Sequence, residues 1–127
     1  MARRNVIITN NPIVATSEGD VFVESFGVMG VLEAVRNHVH LGHSLLTHPF
    51  SGSVKPNENP YRSVVVSLNR GPVDLQSVKI IEGCLEVARR MLLESPYRPY
   101  SAEALADLAL IDDSLLLTGL SSLAMGV

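Results

Sequence analysis

The chain has 127 residues, of which 46% are hydrophobic and 18% are charged, so it has enough material for one globular domain and too little for two. Its formal net charge of −3 argues against nucleic acid or an anionic membrane as the main partner, because both bind dense basic surfaces. A single cysteine, Cys84, excludes an internal disulfide and is typical of a reducing compartment.

These totals predict a single α/β domain over residues 1–127, with a core at 4–94 and a helical extension at 95–127. Met1 to Arg4 precede only a strand-length apolar run, so they do not resemble a signal peptide. No apolar run reaches the roughly 18 residues that a membrane span needs. We therefore expect a cytoplasmic protein without a membrane partner.

The N-terminal quarter predicts two strands. Asn5–Thr9 is a short β-branched run that ends at the polar segment from Asn10 to Pro12, which is typical of a buried strand followed by a turn. Val21–Phe26 follows a polar turn at 17–20 and alternates imperfectly, as an edge strand does. The first strand thus delivers polar side chains to one end of the sheet.

A helix is predicted after Gly27, and Gly42 is placed to end it in the left-handed conformation. Its apolar residues recur at helical spacing: Val28, Val31, Leu32, Val35 and Val39. Two further strands are expected at Ser44–Thr47 and Ser63–Leu68, of which the second is the clearer β-branched run.

The C-terminal half predicts helices. Asp74 is expected to cap a long helix that runs to about Glu94, with apolar residues over half of its circumference. Ser101 is placed to cap another helix that ends at Leu110, and Asp112 to begin a last leucine-rich segment. We expect this tail to cover the long helix, on its own subunit or on a partner.

The alternation of strands and helices predicts an α/β fold, a small two-layer or three-layer sandwich with a mostly parallel sheet of about four strands and additional C-terminal helices. If the first and third strands are parallel, Thr9 to Asn11 and the loop that begins at His48 emerge at the same edge of the sheet. That edge is where open α/β sheets bind ligands.

The loop between the third and fourth strands is the most distinctive stretch of the chain. It is long for a compact domain, and long ordered loops are mostly functional. Pro49, Pro56 and Pro60 restrict its backbone, so ordering it costs little entropy. The alternative is that the prolines only stiffen a surface connection. The candidate ligand-binding residues at this edge are Thr9, Asn10, Asn11, His48, Ser51, Gly52, Ser53, Lys55, Asn57, Glu58, Tyr61 and Arg62.

The chemistry of these residues suits a small ligand rich in hydrogen-bond acceptors, such as a carboxylate or phosphate. Candidate catalytic residues are His48 or Glu58 as a base, with Lys55 stabilising negative charge, and structural roles are equally consistent with the sequence. We expect no metal, because the histidines lack ligand spacing, and no cofactor, because phosphate-binding glycine motifs are missing from the sequence. Cys84 is expected in the core.

The segment from Gly42 to Ser63, together with Thr9 to Pro12, resembles the small GrdX-type proteins found with bacterial glycine, sarcosine and betaine reductase systems. The resemblance covers roughly residues 1–90. It implies a metabolic setting and carries no catalytic residues.

Three functions follow as hypotheses. The first is an accessory protein that binds a small anionic or zwitterionic metabolite. The second is a small hydrolase or transferase, and the third is a structural partner of a reductase complex. We also expect a homodimer through the long helix and the tail, because their apolar surface exceeds what one small sheet can cover.

Overall fold

The computed structural model describes residues 4–52 and 54–125. Along the chain the elements are β1 (Asn5–Thr9), β2 (Val21–Phe22), α1 (Val28–His40), β3 (Ser63–Ser67), α2 (Leu75–Glu94) and α3 (Ala102–Met125). Within these ranges the sheet has three strands in the order β2-β1-β3. The α/β prediction is therefore confirmed, whereas a sheet of four mostly parallel strands is not.

The sheet is mixed because its two strand pairs run differently. β1 is parallel to the two-residue β2, and it is antiparallel to β3 over its whole length, from Asn5 opposite Ser67 to Thr9 opposite Ser63. The predicted second strand, Val21–Phe26, is shortened to Val21–Phe22. Val23 still bonds to Thr9 O, and the Ser25 N–H then bonds to Val23 O in a turn that leads toward α1.

The predicted strand at Ser44–Thr47 contributes a single antiparallel bridge, between Leu45 and Val66. Its backbone makes only part of a ladder with β3: the Leu46 N–H donates to Val65 O at 2.9 Å, and Ser44 O accepts from the Ser67 N–H at 2.8 Å. Two other donors bond to side chains, the Ser44 N–H to Ser67 Oγ at 2.8 Å and the Leu45 N–H to Ser77 Oγ at 2.9 Å. A local sequence pattern does not reveal such distant donors and acceptors, which explains why this strand was predicted. The segment still runs in the direction of β1, since β3 is antiparallel to both.

Helices cover both faces of the sheet, so the fold has three layers. Side chains of β1 alternate: Val6 and Ile8 pack against α1 and α2, and Ile7 faces α3 together with Val65 of β3. α1 buries Val28, Val31, Leu32, Val35 and Val39, the residues that its spacing predicts. Gly42 follows this helix with a φ of 106°, as predicted.

α2 begins after Asp74, whose side chain accepts from the Gln76 N–H, which confirms the predicted cap. It packs on α1 through Ile81, Leu85 and Ala88. The rest of its apolar surface is partly covered by the long loop, where Phe50, Val54 and Pro56 line a small apolar cavity together with Val87 and Met91 of the helix. α3 packs on the other face of the sheet, so the expectation that the tail covers α2 of its own subunit is wrong, and coverage by a partner's tail stays a prediction.

α3 is one continuous helix through Asp112, so the predicted break there is also wrong. The Asp112 side chain does not cap a new helix, because it points inward and accepts hydrogen bonds from Asn11 and Ser63. By length and composition α3 could cross a membrane, which corrects the expectation that no segment reaches that limit. In the structure it packs on the outer face of the sheet through Ala109, Asp112 and Leu116.

Candidate functional site

The edge of the sheet where β1 ends and β3 begins holds a chain of hydrogen bonds. Thr9 Oγ1 lies 2.7 Å from Ser63 Oγ, and Ser63 Oγ donates to Asp112 Oδ2 at 2.7 Å. Since a hydroxyl has one proton and Ser63 gives its proton to the carboxylate, Thr9 must donate to Ser63. Thr9 Oγ1 in turn accepts from the Asn11 N–H at 3.0 Å.

Asn10 and Asn11 hold neighbouring segments together from inside this edge. Asn10 Nδ2 donates to the carbonyls of Ser25, Gly27 and Pro60, and its Oδ1 accepts from the Arg62 N–H at 2.9 Å. Asn11 Nδ2 donates to Ala109 O and to Asp112 Oδ2 in α3. Both side chains are buried, so their predicted polar contacts are made with the protein itself.

Arg62 is also buried, but some donors of its side chain have no hydrogen-bond partner among the described residues. It is 4% exposed, and Nη1 donates to the carbonyls of Pro49 at 3.2 Å and Val54 at 3.4 Å. Within residues 4–52 and 54–125, Nε and Nη2 have no hydrogen-bond partner. The Phe50 ring lies 5.6 Å from the guanidinium carbon. Burial lowers the pKa of Arg62, and the nearby Asp112 charge opposes that shift.

The unpartnered atoms form one edge of the guanidinium. Nε–H and one Nη2–H of an arginine point in parallel, which matches the two oxygens of a carboxylate or two oxygens of a phosphate. A buried donor left without an acceptor costs about 1–3 kcal/mol, and more when it carries charge. This edge therefore has the geometry and the energetic reason to bind an anion.

A small cavity, the Arg62 pocket, lies between the long loop and α3. It is lined by Thr47, Pro49, Ser51, Val54, Asn59, Tyr61, Arg62, Ser63, Asp112, Leu115, Leu116 and Gly119. It leaves about 30 Å³ for the centres of water-sized groups, which fits a few atoms and excludes a nucleotide.

Asp112 supplies the negative charge of the Arg62 pocket. Its carboxylate is 5% exposed, and burial raises its pKa, while the hydrogen bonds from Asn11 and Ser63 and the charge of Arg62 oppose the rise. Asp112 was not predicted as a site residue. Its signal was present in the sequence, because it lies three residues after Ala109 and four before Leu116, on the buried face of the helix.

The predicted catalytic residues lie in separate places. His48 lines a shallow pocket with Leu46 and Leu123, and its Nδ1 accepts from the Phe50 N–H at 3.0 Å. Lys55 and Glu58 line an open groove, defined by Lys55, Asn57, Glu58, Glu94, Ser95, Pro96, Arg98 and Tyr100, with a volume of about 620 Å³. Glu58 Oε1 accepts from the Lys55 N–H, so the two residues form a loop turn.

The remaining predicted residues shape the loop. Gly52 has a φ of 88°, a conformation that favours glycine, and a Cβ there would lie 2.5 Å from Leu115 Cδ2, so the flexible Leu115 side chain would have to shift. Tyr61 lines the Arg62 pocket, as does Ser51. Asn57 Nδ2 donates to Ser95 O at the border of the open groove. Ser53 lies outside the described residues.

Tyr97, which was not predicted as part of the site, connects the loop to the rest of the protein. Its hydroxyl donates to Pro56 O at 2.7 Å and accepts from the Val28 N–H at 3.1 Å. Burial raises its pKa. Nothing in the local sequence distinguishes this tyrosine from Tyr100, which donates to Glu58 O from a more open position.

The described ranges contain little that supports a metal site or a reactive thiol. Among those residues no group of three or more His, Cys, Asp or Glu side chains is close enough to share a metal ion. Cys84 is buried in α2, and burial raises its pKa to about 11, so the thiol stays protonated near neutral pH.

The fold and the edge site together define a small three-layer α/β protein in which a proline-rich loop and a C-terminal helix enclose a buried arginine. The chain belongs to the GrdX-like protein family, whose model matches residues 6–121. The match extends through most of α3, well beyond the part of the chain in which the resemblance was expected. Searches of curated proteins and of solved structures each gave no match.

Proposed function

We propose that this GrdX-like protein is an accessory protein that binds a small anionic or zwitterionic metabolite in the Arg62 pocket. The observation that supports this most is the buried guanidinium whose Nε and Nη2 lack partners among the described residues. A bound carboxylate would supply both missing acceptors at once. The family resemblance suggests glycine, sarcosine or betaine reductase metabolism as the setting.

Binding without chemistry is the simplest function that this geometry supports. A general base has to lie within hydrogen-bond reach of the group it deprotonates. His48, Glu58 and Lys55 line cavities other than the Arg62 pocket, so a ligand held by Arg62 has none of them in its lining. A hydrolase or transferase that uses these residues is therefore the weaker proposal.

A protein partner is a second proposal, and α3 supports it. Only 17% of the apolar stretch of this helix is buried within the chain, and Leu110, Ile111 and Leu117 are exposed. Large apolar surfaces of this kind are typical of protein interfaces. The occupant would be a second copy of the chain or a reductase-complex protein. Light scattering on the purified protein tests the first: a dimer supports it, and a monomer contradicts it.

Calorimetry with glycine, trimethylglycine, phosphate and acetyl phosphate tests the ligand proposal. Saturable binding of at least one compound without turnover supports an accessory binding protein. Turnover of a bound compound instead supports the enzyme proposal. No heat of binding with any of them contradicts the ligand proposal.

Two variants identify the cavity that is used. Arg62→Lys keeps the positive charge and loses the paired donors, so we expect at least about tenfold weaker binding of the compound that binds. Lys55→Ala, in the open groove, is the matched control and should leave binding nearly unchanged. The opposite result, with Lys55→Ala weakening binding and Arg62→Lys having no effect, would move the site to the open groove.

A further inference from the structure

The Arg62 pocket contains two buried charges of opposite sign that are bonded elsewhere. Arg62 gives its hydrogen bonds to the carbonyls of Pro49 and Val54, and Asp112 receives its bonds from Asn11 and Ser63. Both side chains line the same cavity, and within the described ranges no ion pair joins them. The pocket thus has a positive and a negative wall.

We infer that the ligand of the Arg62 pocket is a small amino acid whose carboxylate binds Arg62 and whose ammonium group, carrying at least one N–H, binds Asp112. This inference rests on the proposed function and specifies the ligand class. It also gives Asp112 a role as the residue that selects the ligand.

Charge compensation favours such a ligand over a simple anion. A carboxylate alone would bond to Arg62, but it would also bring a second negative charge close to the buried Asp112, and like charges at low dielectric repel strongly. A zwitterion leaves the total charge of the pocket unchanged and gives each buried ion a partner. The same reasoning disfavours inorganic phosphate.

The lining also disfavours a quaternary ammonium group. Proteins recognise such groups with several aromatic rings around the cation. Tyr61 is the one aromatic residue among the described lining residues, and besides Asp112, α3 contributes Leu115, Leu116 and Gly119 to the lining. A primary ammonium donates charge-assisted hydrogen bonds to a carboxylate, which trimethylated nitrogen cannot do. The small volume further limits the substituent on the ligand.

Calorimetry on the full chain with glycine, acetate and trimethylglycine tests the inference. We expect glycine to bind at least about tenfold more tightly than either of the others, because only glycine can donate a charge-assisted hydrogen bond from its ammonium group to Asp112. Equal or tighter binding of acetate or trimethylglycine overturns the inference. This comparison uses the wild-type protein and does not depend on any variant folding.

Asp112→Asn sharpens the test, because asparagine keeps the shape and can still accept the Ser63 hydrogen bond. We expect glycine affinity to fall about tenfold or more, and acetate affinity to stay constant or rise. An equal loss for both ligands, or no loss for glycine, overturns the inference. If another compound of the two panels binds and glycine binds no better, only the inference fails; if none of the compounds binds, the proposed function fails with it.

Discussion

Two regions that are far apart in the sequence but meet at the same edge of the sheet differ in how their buried polar groups are paired. Asn10 uses both ends of its amide on four backbone partners, whereas Arg62, whose own N–H is one of those partners, leaves Nε and Nη2 without acceptors in the described part of the chain. Buried polar groups of folded proteins are nearly always paired. The fully paired Asn10 therefore has a structural role, whereas the unpaired donors of Arg62 are the basis for proposing a ligand.

The largest effect expected from this comparison is that of Asn10→Ala on stability. The substitution leaves the Ser25, Gly27 and Pro60 carbonyls and the Arg62 N–H without their partner inside the protein. We expect a loss of about 3 kcal/mol in the free energy of unfolding, measured by urea denaturation. Asn57→Ala, which removes one bond to Ser95 O, is the control and should cost under about 1 kcal/mol.

A smaller loss, of about 2 kcal/mol, is expected for Gly52→Ala. Alanine is strained at the positive φ of this position, and the flexible Leu115 side chain would have to move away from the new Cβ. Gly83→Ala is the matched control, because that glycine lies inside α2 with open space around it and alanine favours the helix by up to about 1 kcal/mol. Unfolding curves that show both variants equally stable would mean that the loop can withdraw from α3 without cost.

Asp112 should make stability depend on pH. Burial raises its pKa in the folded state, so the folded protein holds this proton more tightly than the unfolded chain does. The resulting stabilisation is complete below the ordinary aspartate pKa and is lost as the pH rises through the raised value. We therefore expect the stability of Asp112→Asn relative to wild type to increase from pH 3 to pH 7 in urea titrations. A difference that is constant with pH contradicts this prediction.

The smallest effect on stability is expected for Arg62→Met. The substitution removes two long hydrogen bonds to carbonyls, but it also removes a buried charge with unpartnered donors. Removing a desolvated charge with unpartnered donors offsets the loss of these bonds, so we expect a smaller loss than for Asn10→Ala, of about 1 kcal/mol, together with loss of ligand binding. A loss as large as that of Asn10→Ala would show that Arg62 is architectural, and the contrast between the two regions would disappear.

The parts of the fold that depend on local pattern could be predicted from the sequence. The spacing from Val28 to Val39 and the glycine at 42 define α1 by themselves, and Asp74 marks the start of α2. The antiparallel pairing of β3 with β1 joins residues far apart in the sequence, so no local pattern encodes it. The same holds for the bonds of Ser44 and Leu45 to the side chains of Ser67 and Ser77.

Several residues of the predicted site lie together at one edge of the sheet, and some of them make contacts that the sequence does not indicate. Asn10 and Asn11 were expected to contact a ligand. Their amides bond to the protein instead, Asn10 to backbone groups such as Pro60 O, and Asn11 to groups of α3. Arg62 was expected as a loop donor, and its burial results from Phe50 and the loop closing over it. Asp112 was not predicted because it lies in α3, far from the loop in the sequence.

The hydrogen bonds of the Tyr97 hydroxyl make it possible to follow the loop by hydrogen exchange. Because the Val28 N–H donates to this hydroxyl, which in turn donates to Pro56 O, the first amide of α1 is shielded by the same side chain that holds the loop. Withdrawal of the loop together with Tyr97 would expose that amide to solvent while the rest of α1 remained folded. The exchange rate of the Val28 amide hydrogen would therefore report opening of the loop over the Arg62 pocket, with no attached probe and no known ligand.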